Sequence, residues 1–296
     1  DKNTRLAEAD KAQILTGGLL HVWGGRVLNE SSLVIIPDRI LHYFPFELLS
    51  IKDDKTGESK FLVEFIPVQY QSSILLWLDQ QKLSSKPVRR VLTMAPSFPN
   101  TGALTAERTT LSALAFAETE SRQIHDMWRG KLLTKDKATK YNFLDLAENS
   151  DIIHLATHAM ADDRSGIFSW LAFSPTTKDS LLHIEEIYGL DLKARMVVLS
   201  GCETGIGPFQ TGEGLISLSR AFTYAGAESI ITTLWPVQDE ASAQIMSSFY
   251  KFVKEGKSKD KALQLAKIEY LRQVTDPVQA DPYYWAGFIA IGNMEA

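Results

Sequence analysis

Six short apolar runs, rich in β-branched residues and mostly continuous rather than alternating, punctuate the chain. They are LVIIP (Leu33 to Pro37), RVLTMAP (Arg90 to Pro96), DIIHLATH (Asp151 to His158), RMVVLS (Arg195 to Ser200), ESIITTLW (Glu228 to Trp235) and YWAGFIAIG (Tyr284 to Gly292). Runs of this kind belong to strands covered on both faces, as in a parallel sheet. Helical periods lie between them. AETESRQIHDMW precedes the Asp151 run, and EGLISLSRAFTYAG follows the Arg195 run and stops at a glycine. SAQIMSSFYKFVKEG spaces Ile245, Phe249 and Val253 about one turn apart, and KALQLAKIEYLRQV does the same with Leu265, Ile268 and Leu271. Strands alternating with helices require right-handed crossovers. The expected fold class is therefore α/β, a mostly parallel open sheet with helices on both faces.

A chain of 296 residues that is 45% apolar can bury a sizeable core. Asp53 to Ser59, Ser97 to Thr105 and Ser174 to Ser180 read as surface loops rather than domain boundaries. A division near residues 110 to 140 would separate a first half, 33–130, from a second, 131–296. The net charge is -5 and the Lys and Arg residues are scattered, which argues against direct nucleic-acid binding. No stretch reaches the roughly 18 apolar residues of a bilayer-crossing helix, so no membrane partner is expected. The single cysteine cannot close an internal disulfide and points to a reducing, cytoplasmic setting. The chain opens at Asp1, and its first residues have polar breaks where a signal peptide would be continuously apolar. Residues 1–32 therefore read as a helical segment, the tail of a region lying upstream.

Two of the strands end in reactive side chains. The Asp151 run finishes at His158, and the Arg195 run leads through the turn residues Ser200 and Gly201 to Cys202. In an open parallel sheet the active crevice lies outside the carboxyl ends of the strands. If these strands are neighbours joined through the Ile184 to Tyr188 helix, an imidazole and a thiol project from one edge, which is the equipment of nucleophilic acyl transfer. A lone cysteine is often just a small core hydrophobe. This one lies beyond its strand, flanked by Gly201, Glu203 and Gly205, where the backbone can approach a substrate and aim N–H groups at an oxyanion.

His154 and His158 have the H-x-x-x-H spacing of a zinc-binding helix. On a strand the same spacing parts the rings by about 13 Å, so no metal is expected and His154 reads as a hydrogen-bonded core residue. His21, His42, His125 and His183 read as structural or surface residues. The chain has no G-x-S-x-G elbow, phosphate-binding loop or dinucleotide fingerprint, and no cofactor is expected.

Taken together, VIIPDRILHYFPFELL, IIHLATHA, VVLSGCETGIG, TGEGLISLSRAFTYAGAESIITTLWPVQDE and DPYYWAGFIAIG occur in an order that resembles the CHAT family. These are caspase-like, TPR-associated cysteine peptidases in the broad clan of caspases, separases and legumains. The likeness runs from about Leu33 to Gly292. His158 precedes Cys202 by 44 residues, whereas papain-like enzymes place the cysteine first. The resemblance implies a caspase-hemoglobinase-like fold over residues 33–296, with Cys202 as nucleophile and His158 as general base and acid. It also implies an oxyanion hole made of the backbone N–H groups of Cys202 and Ala159, where many clan members carry glycine in place of Ala159. The implied activity is that of a cysteine endopeptidase acting on a protein or peptide substrate. The implied setting is a bacterial defence or cell-death effector, with a gasdermin-like substrate and an upstream TPR-type sensor. The rival reading is a caspase-like scaffold that binds partners without cleaving them.

Glu203, Asp162, Asp163 and Asp239 lie in or near loops at the carboxyl edge, where a buried acid would select Lys or Arg beside the scissile bond. Asp239 also suits the cap of the helix it precedes. Trp235 ends another strand and reads equally as an apolar wall of the cleft or as core, which leaves basic and aliphatic specificity both open. Glu213 suits the dipole of the following helix.

Overall fold

A computed structural model describes residues 31–52, 59–82, 87–98, 111, 114–160, 169–175, 179–200 and 214–295. The segment expected over residues 1–32 lies almost wholly outside them, as do Cys202, Glu203, Asp162, Asp163 and Glu213, most of the 53–59 and 97–105 loops, and residues 176–178 of the third.

In chain order the strands are β1 (Leu33–Ile35), β2 (Ser50–Lys52), β3 (Ser59–Phe61), β4 (Val68–Tyr70), β5 (Val91–Ala95), β6 (Lys131–Thr134), β7 (Ile152–Ala156), β8 (Ala159–Met160), β9 (Trp170–Ala172), β10 (Leu181–His183), β11 (Met196–Ser200), β12 (Ser229–Thr233) and β13 (Phe288–Gly292). The helices are α1 (Ile74–Gln80), α2 (Ala117–Trp128), α3 (Lys140–Ala147), α4 (Ile184–Tyr188), α5 (Gly214–Tyr224), α6 (Asp239–Lys254) and α7 (Lys259–Gln273). Eight strands form one sheet in the order β1-β4-β13-β12-β11-β7-β5-β6, with β10-β9-β8 as a small antiparallel sheet and β2-β3 as a hairpin. Pairing is parallel throughout the large sheet except between β12 and β13, where two parallel blocks of opposite direction meet. The chain thus has the expected α/β, mostly parallel architecture.

The continuous apolar character of the central strands follows from burial on both faces. Leu92, Met94, Ile153, Leu155, Val197 and Leu199 pack on one side with Phe143 of α3, Ile187 of α4, and Leu218 and Phe222 of α5. Val91, Ile152, Met196, Val198 and Ile231 face the other side, against Ile124 of α2, Ile245 and Phe249 of α6, and Ala262 and Leu263 of α7. A third cluster, including Ile35, Phe46, Leu49, Val68 and Tyr70, closes the β1–β4 end. Beneath it Lys267 reaches Glu47 at 2.9 Å, and Glu47 accepts the Tyr70 hydroxyl at 2.6 Å. α5 stops before Gly226, whose φ of 112° and close approach to the Leu192 carbonyl leave no room for a side chain.

Ser200, expected in the turn, is the last residue of β11. The expected strand over Tyr284 to Gly292 begins only at Phe288, because Pro282–Tyr284 forms a 3-10 turn with proline in its first turn. β4 and β6 were not expected; at 3 and 4 residues they are too short to carry a period.

Candidate active site

β7 and β11 are adjacent and parallel, paired from Ile152–Met196 to Ala156–Ser200. The Thr157 N–H donates to the Ser200 carbonyl at 3.1 Å and carries the ladder one residue further. His158 then lies two residues beyond Ala156, as Cys202 lies two residues beyond Ser200 in sequence. α4 lies within the connection between the two strands, which also contains the small antiparallel sheet.

His158 is 1% exposed, and its ring packs on Phe98 with centroids 4.8 Å apart. Its backbone is fixed from the far side, since the Ala172 N–H of β9 donates to the His158 carbonyl at 2.9 Å. The Thr157 hydroxyl donates to the Ala172 carbonyl at 2.5 Å. His158 and Ala172 are therefore a hydrogen-bonded pair, which makes Ala159 and Leu171 a non-hydrogen-bonded pair. The Ala159 N–H points away from β9, and β8 is an outer strand of its sheet. Ala159 is extended and is not among the non-glycine residues of positive φ, which are Arg39, Arg129 and Lys135 among the described residues.

Asp239 opens α6, but its carboxylate serves the other helix. Oδ2 accepts the N–H of Phe116, the residue before α2, at 2.7 Å. Burial pushes the Asp239 carboxyl up; the Phe116 N–H opposes this, the Glu120 charge adds to it and His158 opposes it. Asp239 thus shares an electrostatic environment with His158. Trp235, half-buried past the end of β12, donates its indole N–H to the Tyr283 carbonyl at 2.8 Å. Gly287 lies so close to this ring that a Cβ there would come within 2.9 Å of Cε2.

A buried polar cluster under the strand ends was not anticipated. Glu120 of α2 is 1% exposed and accepts the Ser200 hydroxyl at 2.5 Å. His154, mid-β7 and fully buried as a core residue should be, places Nε2 3.1 Å from the same Glu120 oxygen, although not in hydrogen-bond alignment. Its Nδ1 lies 3.2 Å from the Tyr250 hydroxyl of α6. Burial, and then the Glu120 charge, push the Tyr250 phenol well above its ordinary value. One signal in the sequence could have found Glu120: it falls on the stripe of Ala117, Ser121 and Ile124 that α2 buries.

Among the described residues no group of three or more His, Cys, Asp or Glu is placed to hold a metal ion, and no helix is long and apolar enough to cross a membrane.

Residues 11–293 match the CHAT domain family. Over 94% of its length the chain is 24% identical to tetratricopeptide repeat protein 28 of Mus musculus and to that of Homo sapiens, and it covers 13% and 12% of those proteins. It thus spans about an eighth of the length of these relatives. The fold is similar to separase in the Saccharomyces cerevisiae separase–securin complex, with a TM-score of 0.52 and 14% identity, covering 85% of this chain and 14% of that one.

Proposed function

This chain belongs to the CHAT domain family, and from that premise we propose that it is a cysteine endopeptidase working through Cys202 and His158. The observation that carries this reading is the Ala156–Ser200 pairing, which brings the two strand exits to one level on adjacent strands. The Cys202 thiolate attacks the scissile carbonyl, and the oxyanion is held by the N–H groups of Cys202 and Ala159. The tetrahedral intermediate collapses, the C–N bond breaks, and the His158 imidazolium gives its proton to the leaving amine. A thioester acyl-enzyme remains. His158 then takes a proton from water, the resulting hydroxide attacks the thioester, and the carboxylic acid product leaves as the Cys202 thiolate and the His158 imidazolium are restored.

The outward-facing Ala159 N–H supports this role, since it is not spent on the β8–β9 ladder. Asp239 is engaged with the start of α2, which favours Glu203, Asp162 and Asp163 as acids of the first specificity pocket and leaves Trp235 as an apolar wall. The relatives are tetratricopeptide repeat proteins, which supports an upstream repeat region as the sensor. A triggered effector role in a bacterial cytoplasm, with a gasdermin-like substrate, is carried by the family resemblance.

The test is labelling by peptidyl acyloxymethyl ketones that differ only beside the warhead, in the native chain and in Cys202→Ala and His158→Ala. Labelling at Cys202 that requires His158 and prefers one side chain supports the peptidase. Labelling that is indifferent to His158 and to the peptide overturns it in favour of a scaffold.

A further inference from the structure

Four elements converge on the buried carboxylate of Glu120. α2 supplies Glu120 itself, β11 supplies Ser200 at 2.5 Å, and β7 supplies His154 at 3.1 Å. α6 supplies Tyr250 behind His154 at 3.2 Å, and Ser242, whose hydroxyl lies 3.5 Å from that of Ser200. The same two helices are tied at their beginnings by Asp239 and Phe116. A buried carboxylate costs several kcal/mol unless its oxygens are held by donors, and an apolar residue would fill the stripe between Ala117 and Ile124 without that cost. The fold nevertheless places this polar group against the last residue of β11 and against the strand that ends at His158.

We infer that Glu120 is a positioning residue for the Cys202–His158 pair: through the Ser200 hydroxyl it fixes the direction in which the chain leaves β11, and its contact with His154 references that exit to β7. The inference rests on the peptidase reading. Ser200 ends β11, and Gly201 and Cys202 follow it directly in sequence, so a loosened hydroxyl would change where the thiol points while leaving its intrinsic chemistry alone. Rates of acyl transfer fall steeply with such misplacement, by about tenfold to a hundredfold for about 1 Å. Iodoacetamide, which needs only an accessible thiolate, is insensitive to it.

The experiment compares Ser200→Ala, Ser200→Thr, Glu120→Gln and His158→Ala with the native chain. It uses the peptidyl ketone that labels the native chain best, and iodoacetamide at about pH 9.5, where most thiols are ionised. Thermal melts accompany each variant. Ser200→Ala and Glu120→Gln should label with the ketone about tenfold or more slowly, with iodoacetamide rates within about twofold of native. Ser200→Thr, which keeps the hydroxyl, should recover to within about threefold of native, a rescue that a purely structural role would not require. If Glu120→Gln loses its cooperative melt, the two Ser200 variants carry the comparison. Native-rate labelling of Ser200→Ala, with labelling still lost in His158→Ala, overturns the positioning role and leaves the peptidase. Equal ketone labelling in the native chain and His158→Ala overturns both.

Discussion

Ser200, the last residue of β11, stands opposite Ala156, the last residue of β7, in a parallel ladder of five residue pairs. A one-residue slip would turn every side chain of one strand to the opposite face, exchanging Leu155 for His154 or Leu199 for Ser200 against the wrong helices. The apolar pattern therefore fixes the level at which both strands end. Core packing thus also sets the register of the two strands from which the proposed site residues follow.

The extended backbone of Ala159 bears on the oxyanion proposal. Because Ala159 is extended and has no positive φ, the proposed role of its N–H does not call for a glycine there. Ala159→Gly should change the rate of peptidyl ketone labelling by less than about threefold while lowering stability by about 0.5–1 kcal/mol, from added backbone freedom in a strand. Labelling kinetics with a urea titration check both. A large gain in rate would show that the alanine strains the site.

The bond from the Phe116 N–H to Asp239 makes a capping prediction with a built-in control. Asp239→Ala removes the acceptor and should cost about 1 kcal/mol, or about 1.5–2 °C in Tm. Asp239→Asn keeps an acceptor oxygen and should lose less than half of that. Equal losses in calorimetry would mean that the charge, not the cap, stabilises the start of α2.

Lys259, 3% exposed, donates to the carbonyls of Asn293 and Glu295 at 3.0 and 2.5 Å, and burial lowers its pKa from 10.5 to about 8. The sign follows from proton counting. Between about 8 and 10.5 the unfolded chain keeps a proton on this lysine that the folded chain has released, so stability gained from this group rises with pH across that window. Below it both states are protonated and the buried ammonium is penalised. The stability difference between the native chain and Lys259→Met should move in favour of native from pH 8 to 10.5, by at most about 1.4 kcal/mol per pH unit. Urea unfolding at three pH values reads this, and a flat difference would refute it.

The strands that flank the site were legible because burial on both faces leaves an unbroken apolar run, as in Ile152–Ala156 and Met196–Ser200. The helix over Ala117–Trp128 was legible from its period, and Gly226 from the stop it imposes. The three-stranded sheet was not, because Ala159–Met160, Trp170–Ala172 and Leu181–His183 are too short to show an alternation and pair with one another across intervening chain. Nor was the partner of Asp239: a carboxylate at a helix start reads as a cap for its own helix, and only tertiary packing gives it Phe116. The cluster of Glu120, His154, Ser200 and Tyr250 comes from four separate elements, and pairwise sequence spacing carries no trace of such a meeting.

The most direct test of a working Cys202–His158 pair exploits the fact that the chain has one cysteine. The rate of iodoacetamide alkylation is followed against pH in the native chain and in His158→Ala. An imidazolium beside the thiol should hold the native midpoint well below the ordinary value of about 8.5, and His158→Ala should return it there. A midpoint near 8.5 in both proteins would contradict the account.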